Sequence, residues 1–191
     1  MSAITRSAVG YYADFFVYPF VLVALLAATI ASSDVYDPWL WIIAFLVGLA
    51  VWTLAEYIIH RVVLHNVVYF RSLHDKHHAA PADLIGTPIW MSFSILAVAV
   101  LLPSMALFGV PYGSGFSFGV TTGYLGYSFA HHVLHHWRIT PGHPLYAWKR
   151  GHALHHFRHD EGNFGVTTPF WDHVFGTALK SAKDKPGRST K

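Results

Sequence analysis

Fifteen of the 191 residues are histidine, and their spacing is that of metal ligands. His74, His77 and His78 form an H-x-x-H-H group, and His152, His155 and His156 form a second. On a helix, positions i+3 and i+4 fall within about 60° of position i. Each group therefore predicts three imidazoles converging on one point. His131 and His135 are spaced i, i+4, and so are His132 and His136. His60 and His65 are five apart, about 140° round an ideal helix, and share a target only if the helix bends there. Neutral imidazole suits iron, zinc or copper. The sequence has no cysteine, which excludes thiolate haem ligation, iron–sulfur clusters and zinc–thiolate sites. Any metal must be held by imidazole and carboxylate, and two triplets with paired histidines fit a dinuclear centre.

The elements that position these histidines are membrane helices. The chain is 53% hydrophobic and only 12% charged, with mean hydropathy +0.37; soluble domains carry about 25% charged residues. Four apolar runs, at about 15–31, 39–59, 89–110 and 116–130, approach the roughly 17–25 residues that cross a bilayer. Gly115, Gly119 and Gly123 repeat every four residues in the last run, a spacing that lets helix backbones approach closely. The fold expected is all-α, an integral membrane four-helix bundle with a cytoplasmic histidine-rich cap.

Charge sets the orientation. The 13 Lys and Arg residues occur at Arg6, between Arg61 and Lys76, and from Arg138 onward. With four crossings these regions share one side, expected to be the cytoplasm together with both termini. Every histidine falls on that side, since none precedes His60 and none lies between residues 79 and 130. The basic balance thus reflects topology and anionic lipid, and no nucleic-acid partner is expected. Residues 1–179 are expected to form the domain, and 180–191 a disordered basic tail.

The four histidine motifs, in the order H-x4-H, H-x2-H-H, H-x3-H, H-x2-H-H, resemble the fatty acid hydroxylase/sterol desaturase superfamily of membrane di-iron enzymes. The resemblance runs from about Trp52 to Thr177 and is closest to the fatty acid 2-hydroxylase branch. It includes Glu56-Tyr57 ahead of His60, Pro81 and Asp83 after His78, the Asn163-Phe164-Gly165-Val166-Thr167 segment, Trp171-Asp172, and Phe175-Gly176-Thr177. It implies as metal ligands His60, His65, His74, His77, His78, His131, His135, His152, His155 and His156. His132 stands where the family often has an aromatic, which leaves His132 and His136 as the other choice for the third motif. The resemblance further implies two iron ions, with zinc able to take their place, and O2 as co-substrate. The substrate implied is a fatty acyl chain or related lipid entering from the bilayer, which is hydroxylated or desaturated. No cytochrome-b5-like segment or flavin or nicotinamide motif is present in the sequence, so electrons are expected from a separate donor of cytochrome or ferredoxin type.

Metal-bound histidines hold their orientation by giving the outer ring N–H to an acceptor. Glu56 lies one turn before His60 and is the acid expected in this role, since an acid near a membrane interior is functional by default. Asp75, Asp83, Asp160 and Asp172 are weaker candidates, equally explained by solvation. A carotenoid-ring or sterol-type oxidase shares this chemistry. A histidine-lined metal-binding or transport protein would instead place polar ligands within the spans, where Glu56 is the one charge expected.

Overall fold

The computed structural model describes residues 7–32, 37–158 and 161–179; Arg6, His159, Asp160 and the tail from Lys180 lie outside these. Among the described residues all regular structure is helical, as expected. The helices are α1 (Ala8–Ala31), α2 (Pro38–Ile58), α3 (Val68–Ala79), α4 (Ile89–Leu96), α5 (Leu102–His136), α6 (Tyr146–Arg158) and the short α7 (Phe170–Val174). Three continuous helical stretches are long and apolar enough to cross a membrane: Ala8–Ala31, Pro38–Leu64 and Ile89–His136.

The third stretch has 48 residues. At 1.5 Å per residue it would measure about 70 Å, more than twice the roughly 30 Å hydrocarbon core. It is broken at Gly109, whose φ of 73° and ψ of 168° leave the helical region. The chain reverses there. Ser104 Oγ donates to the Gly113 carbonyl at 3.2 Å and meets Ser117 Oγ at 2.9 Å, and a Cβ on Gly113 would lie 2.6 Å from Met105 Cα. In an unbroken helix residues 104 and 113 would be about 13 Å apart along the axis. The sequence put this break between residues 111 and 115, but Pro111 lies inside the helix. Proline's fixed φ suits a helical first turn, while glycine accepts the positive φ that the reversal needs.

Two segments are π-helical, Ile59–Leu64 at the end of α2 and Ala97–Leu101 between α4 and α5. The second lies just ahead of Pro103, which has no N–H to give the carbonyl of Ala99. The first carries His60 and, at its end, His65.

The chain divides into two units, one of residues 1–56 and 82–130, the other of 57–81 and 131–191. In the first, Tyr18, Trp52, Val120 and Tyr124 form the core. A Cβ on Gly48 would collide with the Phe116 carbonyl, and one on Gly119 with the Phe45 carbonyl, so α2 and α5 touch backbone to backbone. Phe16, Phe20, Val23, Val98 and Leu107 are exposed, the outward apolar surface of a protein solvated by lipid. Glu56 is not the one acid at depth. Asp14, a residue before the first apolar run, lies inside α1, and its carboxylate accepts the Tyr124 hydroxyl at 2.6 Å. Tyr18 donates to Ser92 at 2.8 Å, and Trp41 Nε1 to Thr29 Oγ1 at 3.0 Å. Where water is absent, buried polar groups must find such partners.

In the second unit, Tyr57, His155, Val166 and Asp172 are fully buried. Tyr57 stacks on Phe175 with 5.2 Å between centroids, and Trp148 Nε1 donates to the Val166 carbonyl at 2.6 Å. The Gly162–Gly165 turn packs among these groups.

Candidate metal centre

The histidines gather into two clusters. His60, His65, His74, His78 and His155 form one, and His77, His131, His135, His152 and His156 the other; in each, the five ligand nitrogens lie within 4.8 Å of one another. These are the ten positions that the family pattern implied. His132 and His136 belong to neither cluster and stack on each other, 4.6 Å between centroids. His143 is likewise outside, its Nδ1 accepting the Leu145 N–H at 3.1 Å.

The triplets do not converge as their spacing predicted. His74 and His78 enter the first cluster while His77 enters the second; His152 and His156 enter the second while His155 enters the first. The reason is angular. Position i+4 lies about 40° to one side of i, and position i+3 about 60° to the other. The two rings nearest in angle share a site and the third is turned away. Each cluster thus takes two rings from one H-x-x-H-H helix, one ring from the other, and a pair from a third segment. His78 and His156 stack at 4.3 Å where the clusters meet.

The H-x4-H pair is solved by the π-helix. Its i→i+5 bonding brings residues five apart over one another, so His60 and His65 rings stack at 5.3 Å. His131 and His135 need no such device: α5 is α-helical there, and their Nε2 atoms are 3.1 Å apart.

The ring atoms fit a metal. His60 Nδ1 faces the Phe164 carbonyl at 2.6 Å, and His155 Nδ1 faces the Gly162 carbonyl at 2.9 Å. A carbonyl only accepts, so both Nδ1 atoms carry hydrogen and both Nε2 atoms present lone pairs to the cluster. Nε2 atoms approach at 3.1 Å for His60–His74, 3.4 Å for His65–His155, 2.9 Å for His74–His78, 2.7 Å for His135–His152 and 3.2 Å for His152–His156. Ligand bonds of about 2.0–2.1 Å at 90–109° put adjacent nitrogens about 2.8–3.4 Å apart. Among the described residues no carboxylate belongs to either cluster. A metal cation facing ten neutral imidazoles suits this donor set.

Burial and neighbouring imidazoles also keep the rings neutral. Both push the protonation of His74, His152 and His156 well down, and burial with His136 nearby brings His77 to about 4. An unfolded histidine takes its proton near 6.5, so the neutral folded ring favours folding above that pH. For His77 this contribution is lost as pH falls from about 6.5 through 4, and for the other three rings the loss continues below that. Metal occupancy measured by equilibrium dialysis should therefore stay level from pH 7.5 to about 5 and drop towards 4. A loss centred near pH 6.5 would mean that the rings titrate as exposed ones.

The acids differ from expectation. Glu56 is 3% exposed, but the outer nitrogen of His60 meets the Phe164 carbonyl instead. Asp75 is a half-exposed surface acid near Arg71. Asp172, one of the four weaker candidates on sequence grounds, is 1% exposed. Its carboxylate accepts from Phe164 N–H at 2.9 Å, Gly165 N–H at 2.8 Å and Thr177 Oγ1 at 2.8 Å. The Asn163–Thr177 segment carried a family signature in the sequence, but its part in holding histidines came only with the fold.

The fatty acid hydroxylase family model matches residues 45–177. The fatty acid 2-hydroxylase of Rattus norvegicus is 33% identical over 156 residues, 73% of this chain and 40% of that protein. The dihydroceramide fatty acyl 2-hydroxylase of Arabidopsis thaliana is 32% identical over 167 residues, 75% of this chain and 64% of that protein. Among solved structures, full-length scs7p, of which only the hydroxylase domain is visible, matches with a TM-score of 0.78 at 28% identity, over 93% of this chain and 69% of that one. The chain spans about two fifths of the length of the mammalian relatives it matches. With its integral membrane helices and paired histidine clusters, the chain belongs to the fatty acid hydroxylase family.

Proposed function

We propose that this chain hydroxylates a fatty acyl chain of a membrane lipid at a di-iron centre, using O2 and electrons from a separate donor protein. The observation that carries the reading is the pair of five-histidine clusters in a membrane protein of this family. Relatives named for 2-hydroxylation of fatty acids and of dihydroceramide acyl groups indicate the substrate class. The stoichiometry is one C–H bond and one O2 with two electrons and two protons, giving one alcohol and one water. Bound iron would supply the O2 activation that amino-acid side chains lack.

The chain's own part is positional. His60, His65, His74, His78 and His155 would hold one iron, and His77, His131, His135, His152 and His156 the other. The Phe164 and Gly162 carbonyls keep a proton on Nδ1 of His60 and His155, which directs Nε2 towards the metal. Burial of His60 and His155, at 3% and 0% exposure, keeps water from these rings. We place four crossings in the membrane, with the reversal at Gly109 separating the last two, and the histidine clusters and both termini in the cytoplasm by the positive-inside rule.

The test is lipid profiling of a host expressing the chain beside a His77→Ala variant, with iron measured in both purified proteins. Wild type should add acyl species carrying one extra oxygen and bind two irons per chain. The variant should add none. Identical lipid profiles with no bound iron in wild type would overturn the proposal.

A further inference from the structure

Two of the five rings in the first cluster are held by backbone carbonyls. The Nδ1 atoms of His60 and His155 are fixed by carbonyls of one short turn, Phe164 and Gly162. In the second, Nδ1 of His77, His152 and His156 has no hydrogen-bond partner among the described residues. The turn that serves the first cluster is itself held by few groups. Asn163 takes a left-handed φ of 56°, which asparagine tolerates better than most residues. Its Nδ2 donates to the Gly151 carbonyl and its Oδ1 accepts the Leu179 N–H, at 2.9 and 2.8 Å. Gly162 passes so close to Thr177 that a Cβ there would strike the Thr177 carbonyl.

Asp172 is the anchor of this arrangement. Its two carboxylate oxygens take the N–H groups of Phe164 and Gly165, and its backbone carbonyl takes the N–H of Thr177 and of Ala178. The Phe164 N–H and C=O are thus committed at both ends, one to Asp172 and the other to His60. Asp172 touches no metal-facing nitrogen. It acts through a backbone carbonyl, where metal-site histidines often use a carboxylate directly.

We propose that Asp172 is a positioning residue for one of the two metals: by fixing the Gly162–Gly165 turn it sets the Nδ1–H tautomer of His60 and His155, and so the affinity of the first cluster alone. This rests on the metal-centre reading but not on the identity of the lipid. Asp172→Asn keeps the size of the side chain but exchanges one acceptor for an NH2 group. That group then faces an N–H or hydroxyl donor, and the turn is released.

The experiment loads the full chain, purified in detergent, with Co2+ or Fe2+ and removes metal with graded chelator. Metal per chain and the visible Co2+ spectrum are followed in wild type, Asp172→Asn and the milder Thr177→Val, which removes one donor to the carboxylate. Wild type should hold two metals. Asp172→Asn should lose one of them at about 10–100-fold lower chelator, the usual effect of removing such a partner, and keep the second with its spectrum unchanged. Thr177→Val should shift the same metal by less. Equal weakening of both metals would assign Asp172 a general folding role, and no weakening would show the turn to be independent of it; either overturns the inference. Should Asp172→Asn fail to fold, Thr177→Val decides by the same one-metal criterion. A wild type that binds no metal would overturn the proposed function as well, so the two failures are distinguishable.

Discussion

Replacing His155 with alanine should remove hydroxylation to background and leave one tightly held metal per chain. His155 is fully buried and contributes to the first cluster, where its Nε2 lies 3.4 Å from that of His65. Truncation deletes one nitrogen donor of five. It also strands the Gly162 carbonyl, which the ring Nδ1–H now satisfies, at a cost of about 1–3 kcal/mol. Partners that only orient a ligand are worth about 10–100-fold in affinity, so loss of the ligand itself should cost at least ~100-fold. Product formation and metal per chain, measured on the same preparation, check this. A variant that keeps two tightly bound metals and wild-type turnover would remove His155 from the centre.

Gly119→Leu should have the largest effect on stability. The Gly119 Cα faces the Phe45 carbonyl, and an added Cβ would also lie 2.8 Å from the Leu49 backbone nitrogen. These are backbone atoms of a helix, which cannot rotate aside as a flexible side chain can. α2 must therefore withdraw from α5, taking with it the matching approach of Gly48 to the Phe116 carbonyl. Overpacking costs about 1–3 kcal/mol where side chains can adjust, and the upper end or more is expected here. Thermal unfolding in detergent, with Gly126→Leu as comparison, is the measurement, because a Cβ at Gly126 meets nothing within 4 Å. Equal melting of the two variants would mean that the seam is loose.

Much of the centre was legible in the histidines. Their spacing sets the pairs and triplets apart, and their confinement to one side of the apolar runs matches the charge pattern. The division of each triplet was legible in principle, since i+3 and i+4 diverge from i in opposite directions; treating all three as one face hid it. The choice of His131 and His135 over His132 and His136 came from the family resemblance and not from spacing, because both pairs have the same spacing on one helix; the packing around α5 decides which pair joins the cluster. Asp172 was hidden for a related reason. Its three donors come from residues 164, 165 and 177, and no periodicity shows a carboxylate turned inward by a loop. Asp14 lies outside the apolar run that begins at Phe15, whereas α1 begins at Ala8 and carries it inside the helix.

The π turn at Ile59–Leu64 has a consequence for the chain as a whole. Read as an α-helical pair with one residue inserted, His60–His65 becomes the counterpart of His131–His135. His74, His77 and His78 then become the counterparts of His152, His155 and His156. The two halves of the chain supply their ligands by one rule, pair then triplet, and each half lends its odd histidine to the other's site. An ungapped comparison of the halves would miss this internal symmetry, because the first pair is one residue longer and the run from pair to triplet is shorter in the first half. The fold closes that gap in space: the helix takes up the extra residue as a wider turn, and both halves present two paired rings.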